Sequence, residues 1–202
     1  MKKTLALLVM AVMTLAATAQ KVQCGLKVGM NLSTESAIKV EDLKLDNNKF
    51  KTAVHAAFVV NIPISEKFEI EPSLMYSMQG YKGHVYKLDD IVVDDDENVS
   101  SHYLMLPIAA KMYVHKGLYV EVGPQFGYLL KKKGAIANFL DIVYTDNGLT
   151  KNFDFAVFGG VGYKFNNGVF VEGRYSHGLT ETSKLFKGAQ NRNIMASVGY
   201  LF

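Results

Sequence analysis

Apolar and polar residues alternate along most of this chain. From position 22 to 33, Val22, Cys24, Leu26, Val28, Met30 and Leu32 share one face, and Gln23, Gly25, Lys27, Gly29, Asn31 and Ser33 share the other. A period of two is that of a β-strand, whose successive side chains point to opposite sides; a helix would repeat every 3.6 residues. The same alternation recurs over 52–62, 68–81, 101–114, 118–130, 153–165, 169–179 and 193–202, which predicts eight strands. Three connections are short (63–67, 115–117 and 166–168) and four are long and polar (34–51, 82–100, 131–152 and 180–192). Short and long connections take turns, as they must when an antiparallel sheet has tight turns at one end and loops at the other. Asn167-Gly168 is the clearest turn, because Asn-Gly tolerates the positive φ of a tight hairpin.

Eight antiparallel strands can close as a soluble carrier, with the apolar face inward, or as a membrane barrel, with the apolar face outward. The charges decide between them. The apolar face carries none over eight strands, whereas the polar face holds Lys27, Glu69, Glu71, Lys111, Glu121, Asp154, Lys164, Glu172 and Arg174, five acids against four bases. A soluble barrel would place Lys and Glu outside for solubility. Strands of about 11–13 residues also suffice to cross a bilayer at a tilt. The expected fold is therefore all-β: an eight-stranded, up-and-down transmembrane β-barrel with a polar lumen network, short periplasmic turns and long extracellular loops. Closure is obligatory, since lipid offers no partner for an open sheet edge. Eight strands leave an interior that side chains fill, so no continuous pore is expected.

The N-terminus supplies the compartment. Met1-Lys2-Lys3 is a basic start, residues 4–15 are apolar, and Ala17-Thr18-Ala19 puts small residues ahead of Gln20, the pattern of a cleaved signal peptide over 1–19 with a barrel domain over 20–202. The apolar stretch is shorter than the roughly 20 residues of a membrane-spanning helix. Val22-Gln23 before Cys24 is not a lipobox. Taking Lys2 and Lys3 from the 22 basic residues leaves 20 against 19 acidic, a charge of +1 that offers nothing to nucleic acid. One cysteine in the whole chain excludes an internal disulfide. The chain ends on Tyr200-Leu201-Phe202, with Tyr200 and Phe202 on the apolar face, which reads as a C-terminal signal to the outer-membrane barrel assembly machinery.

With these features in place the chain resembles the Bacteroidetes outer-membrane β-barrel family, porin-like barrels of the eight-stranded OmpX/OmpA type. The resemblance is carried by Gly25-Leu26-Lys27-Val28-Gly29-Met30-Asn31-Leu32-Ser33 and by Glu71-Pro72-Ser73-Leu74-Met75-Tyr76-Ser77-Met78-Gln79-Gly80. Tyr103-Leu104-Met105-Leu106-Pro107, the run from Gly117 to Pro124, Arg174-Tyr175-Ser176-His177-Gly178-Leu179 and the terminal Gly199-Tyr200-Leu201-Phe202 extend it. Met105 departs from the pattern, standing where the family often has a lumenal acid. The resemblance implies the fold and an outer-membrane location; it transfers no single activity, and one family member serves protein secretion.

Candidate chemistry is sparse. Ser101-His102 and Ser176-His177 are sequence neighbours, so each pair points to opposite faces and cannot act as nucleophile and base within one strand; only cross-strand pairing would leave room for an enzyme. His55 and Tyr113 read as lumen fillers. Six acids at 89–90 and 94–97 suggest a hard cation, but the spacing lacks the alternation and glycine of an EF-hand. Lys131-Lys132-Lys133 lies where anionic lipopolysaccharide headgroups sit. The apolar content of 135–144 suggests a protruding hairpin edge or a contact with a partner. The reading is thus a non-enzymatic scaffold without cofactor or metal, its partners being outer-membrane lipid, lipopolysaccharide, the assembly machinery and a surface or envelope protein. A narrow channel for small solutes and an accessory barrel of a secretion or uptake complex are the alternatives.

Overall fold

The computed structural model describes residues 22–35, 38–40, 43–45, 49–84, 96–135, 143–145, 152–181 and 190–202. Eight strands form the wall: β1 (Gln23–Glu35), β2 (Lys49–Pro63), β3 (Phe68–His84), β4 (Asp96–His115), β5 (Leu118–Ala135), β6 (Phe153–Lys164), β7 (Val169–Gly178) and β8 (Asn191–Leu201). Each pairs antiparallel with the next, and β1 pairs with β8 from Gly25↔Leu201 to Glu35↔Asn191, which closes the ring. Among the described residues there is no helix.

The wall has an apolar outside and a buried inside. Leu26, Val28, Met30 and Leu32 on β1 are exposed, as are Val157, Val161 and Tyr163 on β6, while Lys27, Asn31, Glu121 and Arg174 are buried. Between outward Phe153 and Tyr163, β6 runs roughly 33 Å, or about 25 Å along the membrane normal at a tilt of about 40°, the height of a barrel's apolar band. Aromatic residues mark both margins: Tyr76, Tyr128, Phe153 and Tyr175 toward the loops, and Phe68, Tyr163, Phe165, Tyr200 and Phe202 toward the turns.

Several strands outrun the alternation that predicts them. β3 continues to His84, β4 starts at Asp96 and β5 reaches Ala135, where residues Val143–Thr145 add a short paired segment. These extensions stand beyond the apolar band, in water, where no oily face marks the strand. Asp96, Glu97 and Asn98, read as loop, are therefore strand residues, and 89–95 lie outside the described residues. Of the apolar stretch at 135–144, Ala135 pairs with Val143 in a protruding edge, and 136–142 lie outside the described residues. A short hairpin also joins Ile38–Val40 to Leu43–Leu45.

The turn at 166–168 differs in detail from a two-residue hairpin. Only Gly168 has positive φ (+87°), and its N–H donates to the Phe165 carbonyl at 3.2 Å. This is a turn followed by a left-handed glycine, the three-residue alternative.

Candidate functional site

The lumen gathers charged side chains from six strands. Lys27 on β1 donates to Glu172 Oε1 at 2.8 Å and to Glu71 Oε1 at 3.3 Å, and Lys111 on β4 holds the other oxygen of Glu71. Arg174 forks onto Glu121, Nε to Oε1 at 2.8 Å and Nη2 to Oε2 at 3.0 Å, and its Nη2 also reaches Glu172 at 3.3 Å. The result is one ladder, Glu121–Arg174–Glu172–Lys27–Glu71–Lys111, of three acids and three bases. The Tyr119 hydroxyl donates to Glu172, and Lys111 lies 4.6 Å from the Tyr119 ring centroid. Nearer the turns, Lys164 donates to Glu69 and to Gln23, each at 3.2 Å, and the Tyr113 hydroxyl donates to Glu69 at 2.7 Å. Asp154 stands apart from the ladder and accepts from Thr180 Oγ1 at 2.8 Å and Asn191 Nδ2 at 3.0 Å.

These side chains reach so far because glycine lies in their path. A Cβ at Gly160 would come within 2.8 Å of Glu121 Oε1, one at Gly162 within 2.3 Å of the Tyr119 ring, and one at Gly199 within 2.3 Å of the Phe170 ring. His55 is the sharpest case. It extends from β2 over Gly29 on β1 to β8, where Nε2 lies 2.9 Å from Ser197 Oγ, while Nδ1 lies 2.5 Å from Asn31 Oδ1. Asn31 in turn donates to Ser77 Oγ and to the Met78 carbonyl. A serine, a histidine and an asparagine are thereby linked across three strands. The connection is invisible to sequence spacing, because it is made through register, and the only hint is Gly29 among bulky neighbours.

Around these polar groups the lumen is apolar, which the count of polar-face residues understates. Met75, Met105, Met195, Tyr103, Leu129 and Phe170 are buried in one cluster with Ala57, Val59 and Leu201. Met105, where the family pattern suggests an acid, faces Met75 across β3–β4, and its sulfur accepts from Gln79 at 3.4 Å. A thioether contact thus occupies the position where the family pattern would put an inner ion pair. Phe158 stacks beneath the Arg174 guanidinium, 4.2 Å from its ring centroid.

The adjacent Ser-His pairs separate as strand geometry requires: Ser101 and Ser176 are buried inside, and His102 and His177 face out. Outward Cys24 is partly covered near the turn end, its carbonyl accepting from the Phe202 N–H at 2.8 Å. Among the described residues, no three His, Cys, Asp or Glu side chains converge as a metal-ligand set.

The sequence profile of the outer membrane protein beta-barrel domain matches residues 18–184. No curated protein sequence matches the chain. Among solved structures, the barrel is similar to Neisserial surface protein A, with a TM-score of 0.58 at 11% identity over 91% of this chain and all of that one. It is also similar to Ail, the attachment invasion locus protein of Yersinia pestis, with a TM-score of 0.51 at 11% identity over 91% of this chain and all of Ail. At such identity the likeness speaks for the fold alone. The profile covers most of the chain, from before β1 through β7, and the barrel it describes is the one observed, so this chain belongs to the outer membrane protein beta-barrel domain family and is a barrel of the bacterial outer membrane.

Proposed function

We propose that this protein is a closed, non-enzymatic scaffold that carries extracellular loops for contact with surface or envelope partners. The supporting observation is the occupancy of the lumen. The six-membered ion ladder crosses it at one level, with Met75, Met105, Met195, Tyr103 and Leu129 buried toward the loops and Phe170 and Leu201 toward the turns. Any permeating ion would have to part buried, mutually neutralised charges. Planar-bilayer recording of the refolded barrel tests this: a baseline without steps is expected, and steady unitary openings would establish the narrow-channel reading instead. Co-purification from gently solubilised membranes addresses the accessory-barrel reading, which demands a stoichiometric partner.

The non-enzymatic assignment rests on enclosure. Ser197, His55 and Asn31 have the hydrogen-bond order of a nucleophile, base and orienting group, but His55 is 3% and Asn31 0% exposed. Most backbone amides of a closed barrel wall are committed to the inter-strand ladder, which makes the wall a poor source of oxyanion donors. Labelling of Ser197 by a fluorophosphonate would overturn this assignment.

Delivery completes the proposal. Residues 1–19 act as a leader cleaved before Gln20. The outward Tyr200 and Phe202 at the end of β8 form the signal read by the barrel assembly machinery. The motifs over 25–33 and 71–80 support a reading of the chain as one of the porin-like Bacteroidetes branch of its family.

A further inference from the structure

Charged and imidazole side chains are rare on the outward face of the eight strands, and those toward the loops are not scattered. Among the residues of β1–β8 whose exposure is described, outward charged or imidazole side chains occur, apart from His115 beside the turn at 115–117, at His102, Lys131, His177 and Arg192, and none is acidic. They form two cross-strand pairs, His102↔Lys131 on β4–β5 and His177↔Arg192 on β7–β8. Both pairs lie at the loop end, just past the aromatic margin. In each, a margin tyrosine meets the histidine: Tyr76 Oη is 2.7 Å from His102 Nδ1, and Tyr175 Oη is 3.5 Å from His177 Nδ1.

The exposure of Lys131 depends on an irregularity. Between His102 and Tyr103 the β4–β5 register shifts, so that His102 pairs with Lys131 and Tyr103 with Leu129. The extra residue, Leu130, is exposed, and so is Lys131 beside it, out of the alternation that would otherwise turn the lysine into the lumen. A bulge at a barrel rim re-aims a side chain, and here it aims a cation outward.

An apolar groove of about 490 Å³ opens on the same outer surface, lined by Val28, Met30, Val54, Ala56, Tyr76 and Val198, with Gly29 and His55 at its floor. Tyr76 belongs to both features, one flank to the groove and its hydroxyl to His102.

We propose that Tyr76, His102 and Lys131, with the groove beside them, form a binding site for a phosphorylated acyl lipid of the outer leaflet, its acyl chain in the groove and its phosphate on the imidazole and ammonium. Tyr175, His177 and Arg192 form a second phosphate site across the barrel. The chemistry selects this occupant. A basic pair on a membrane-facing surface is costly in hydrocarbon but favourable against an anionic headgroup, and the walls of the adjoining groove are apolar apart from a tyrosine that spans the interface, with the buried His55 beneath its floor. Lipid A combines phosphate and acyl chain at that depth.

The test uses the full barrel refolded in nanodiscs, with retained lipid counted by native mass spectrometry. The probes are bis-phosphorylated lipid A, its dephosphorylated form, phosphatidylglycerol and inorganic phosphate. Wild-type barrel should retain phosphorylated over dephosphorylated lipid A, with the preference falling about fivefold for each basic residue removed in K131Q and R192Q, and recovering in K131R. K116Q, in a periplasmic turn, should leave it unchanged. Folding of each variant is checked by heat-dependent gel mobility. Displacement of lipid A by millimolar inorganic phosphate, equal retention of phosphatidylglycerol, or an unchanged preference in folded K131Q/R192Q would each overturn the proposal.

Discussion

Replacing Lys27 by Met should destabilise the barrel by about 3–5 kcal/mol, the usual cost of breaking a buried ion pair by removing one partner. Lys27 is the central cation of the ladder, 1% exposed, with carboxylate oxygens at 2.8 and 3.3 Å. At an effective dielectric of about 20 the two contacts are worth roughly 6 and 5 kcal/mol before desolvation, and burying the ammonium returns several of these. In Lys27→Met three acids face two bases, and Glu172 and Glu71 each keep a single cation, Arg174 and Lys111. The design gains force from the double variant Lys27→Met/Glu172→Gln. It leaves Arg174 on Glu121 and Lys111 on Glu71, two neutral pairs, and should therefore be more stable than Lys27→Met alone by about 2 kcal/mol, a coupling ordinary for residues in one network. Urea titration of vesicle-inserted barrel, followed by gel mobility and by tyrosine fluorescence, measures both. A cost below about 1 kcal/mol for the single variant, or a double variant as unstable as the single, would show that the ladder does not neutralise itself as drawn.

Other outcomes follow from the same packing. Gly29→Ala places a methyl 2.1 Å from the Ala196 carbonyl oxygen and 2.6 Å from the His55 ring, so it should cost about 1–3 kcal/mol or more in the same urea assay. Gly173→Ala, whose Cβ would meet nothing within 4 Å on the lipid side, should be nearly silent. Deleting Phe202 should lower the amount of barrel recovered from the outer membrane of cells while leaving refolding into detergent unchanged; equal loss in both would make Phe202 a folding residue and not an assembly signal. The thiol of Cys24, the single cysteine of the chain, should react slowly with a charged maleimide in bilayers and quickly in urea. Mass spectrometry of purified protein should find Gln20 at the N-terminus.

What could be read in the sequence was what lipid enforces. Hydrocarbon on one side of every strand demands an apolar residue at each second position, so the eight strands, their order and their inward charges are written as a parity. The limits of that parity are physical too. Beyond the bilayer, at His84, Asp96 and Ala135, water meets both faces of a hairpin, and the strand continues without a pattern to announce it. Inside the lumen, parity says which side a residue faces and not what it meets. Met75, Met105 and Met195 sit on the inward face beside Ser77, Pro107 and Asn193, and their shared cluster depends on strands far apart in the chain.

The pairing of charges shows the same boundary more sharply. Parity collects nine charged residues and their near balance, but Lys27 meets a residue 44 positions away on β3 and another 145 positions away on β7. Such contacts require closure of β1 on β8, which gives Lys27 neighbours from both ends of the chain. They also require clearance, and here the sequence holds a usable signal. Gly160, Gly162 and Gly199 each lie on the inward face one strand away from Glu121, Tyr119 and Phe170, the long side chains that pass over them. A lumenal glycine in such a barrel marks a track for a neighbour's side chain. Reading glycines as tracks, together with parity, would have located Tyr119 beside Glu172 and His55 beside Ser197, given the strand register. The register at the bulge between His102 and Tyr103 has no such marker, which is why Lys131 reads from sequence as one of three rim lysines and only the folded wall distinguishes it as the one beside His102.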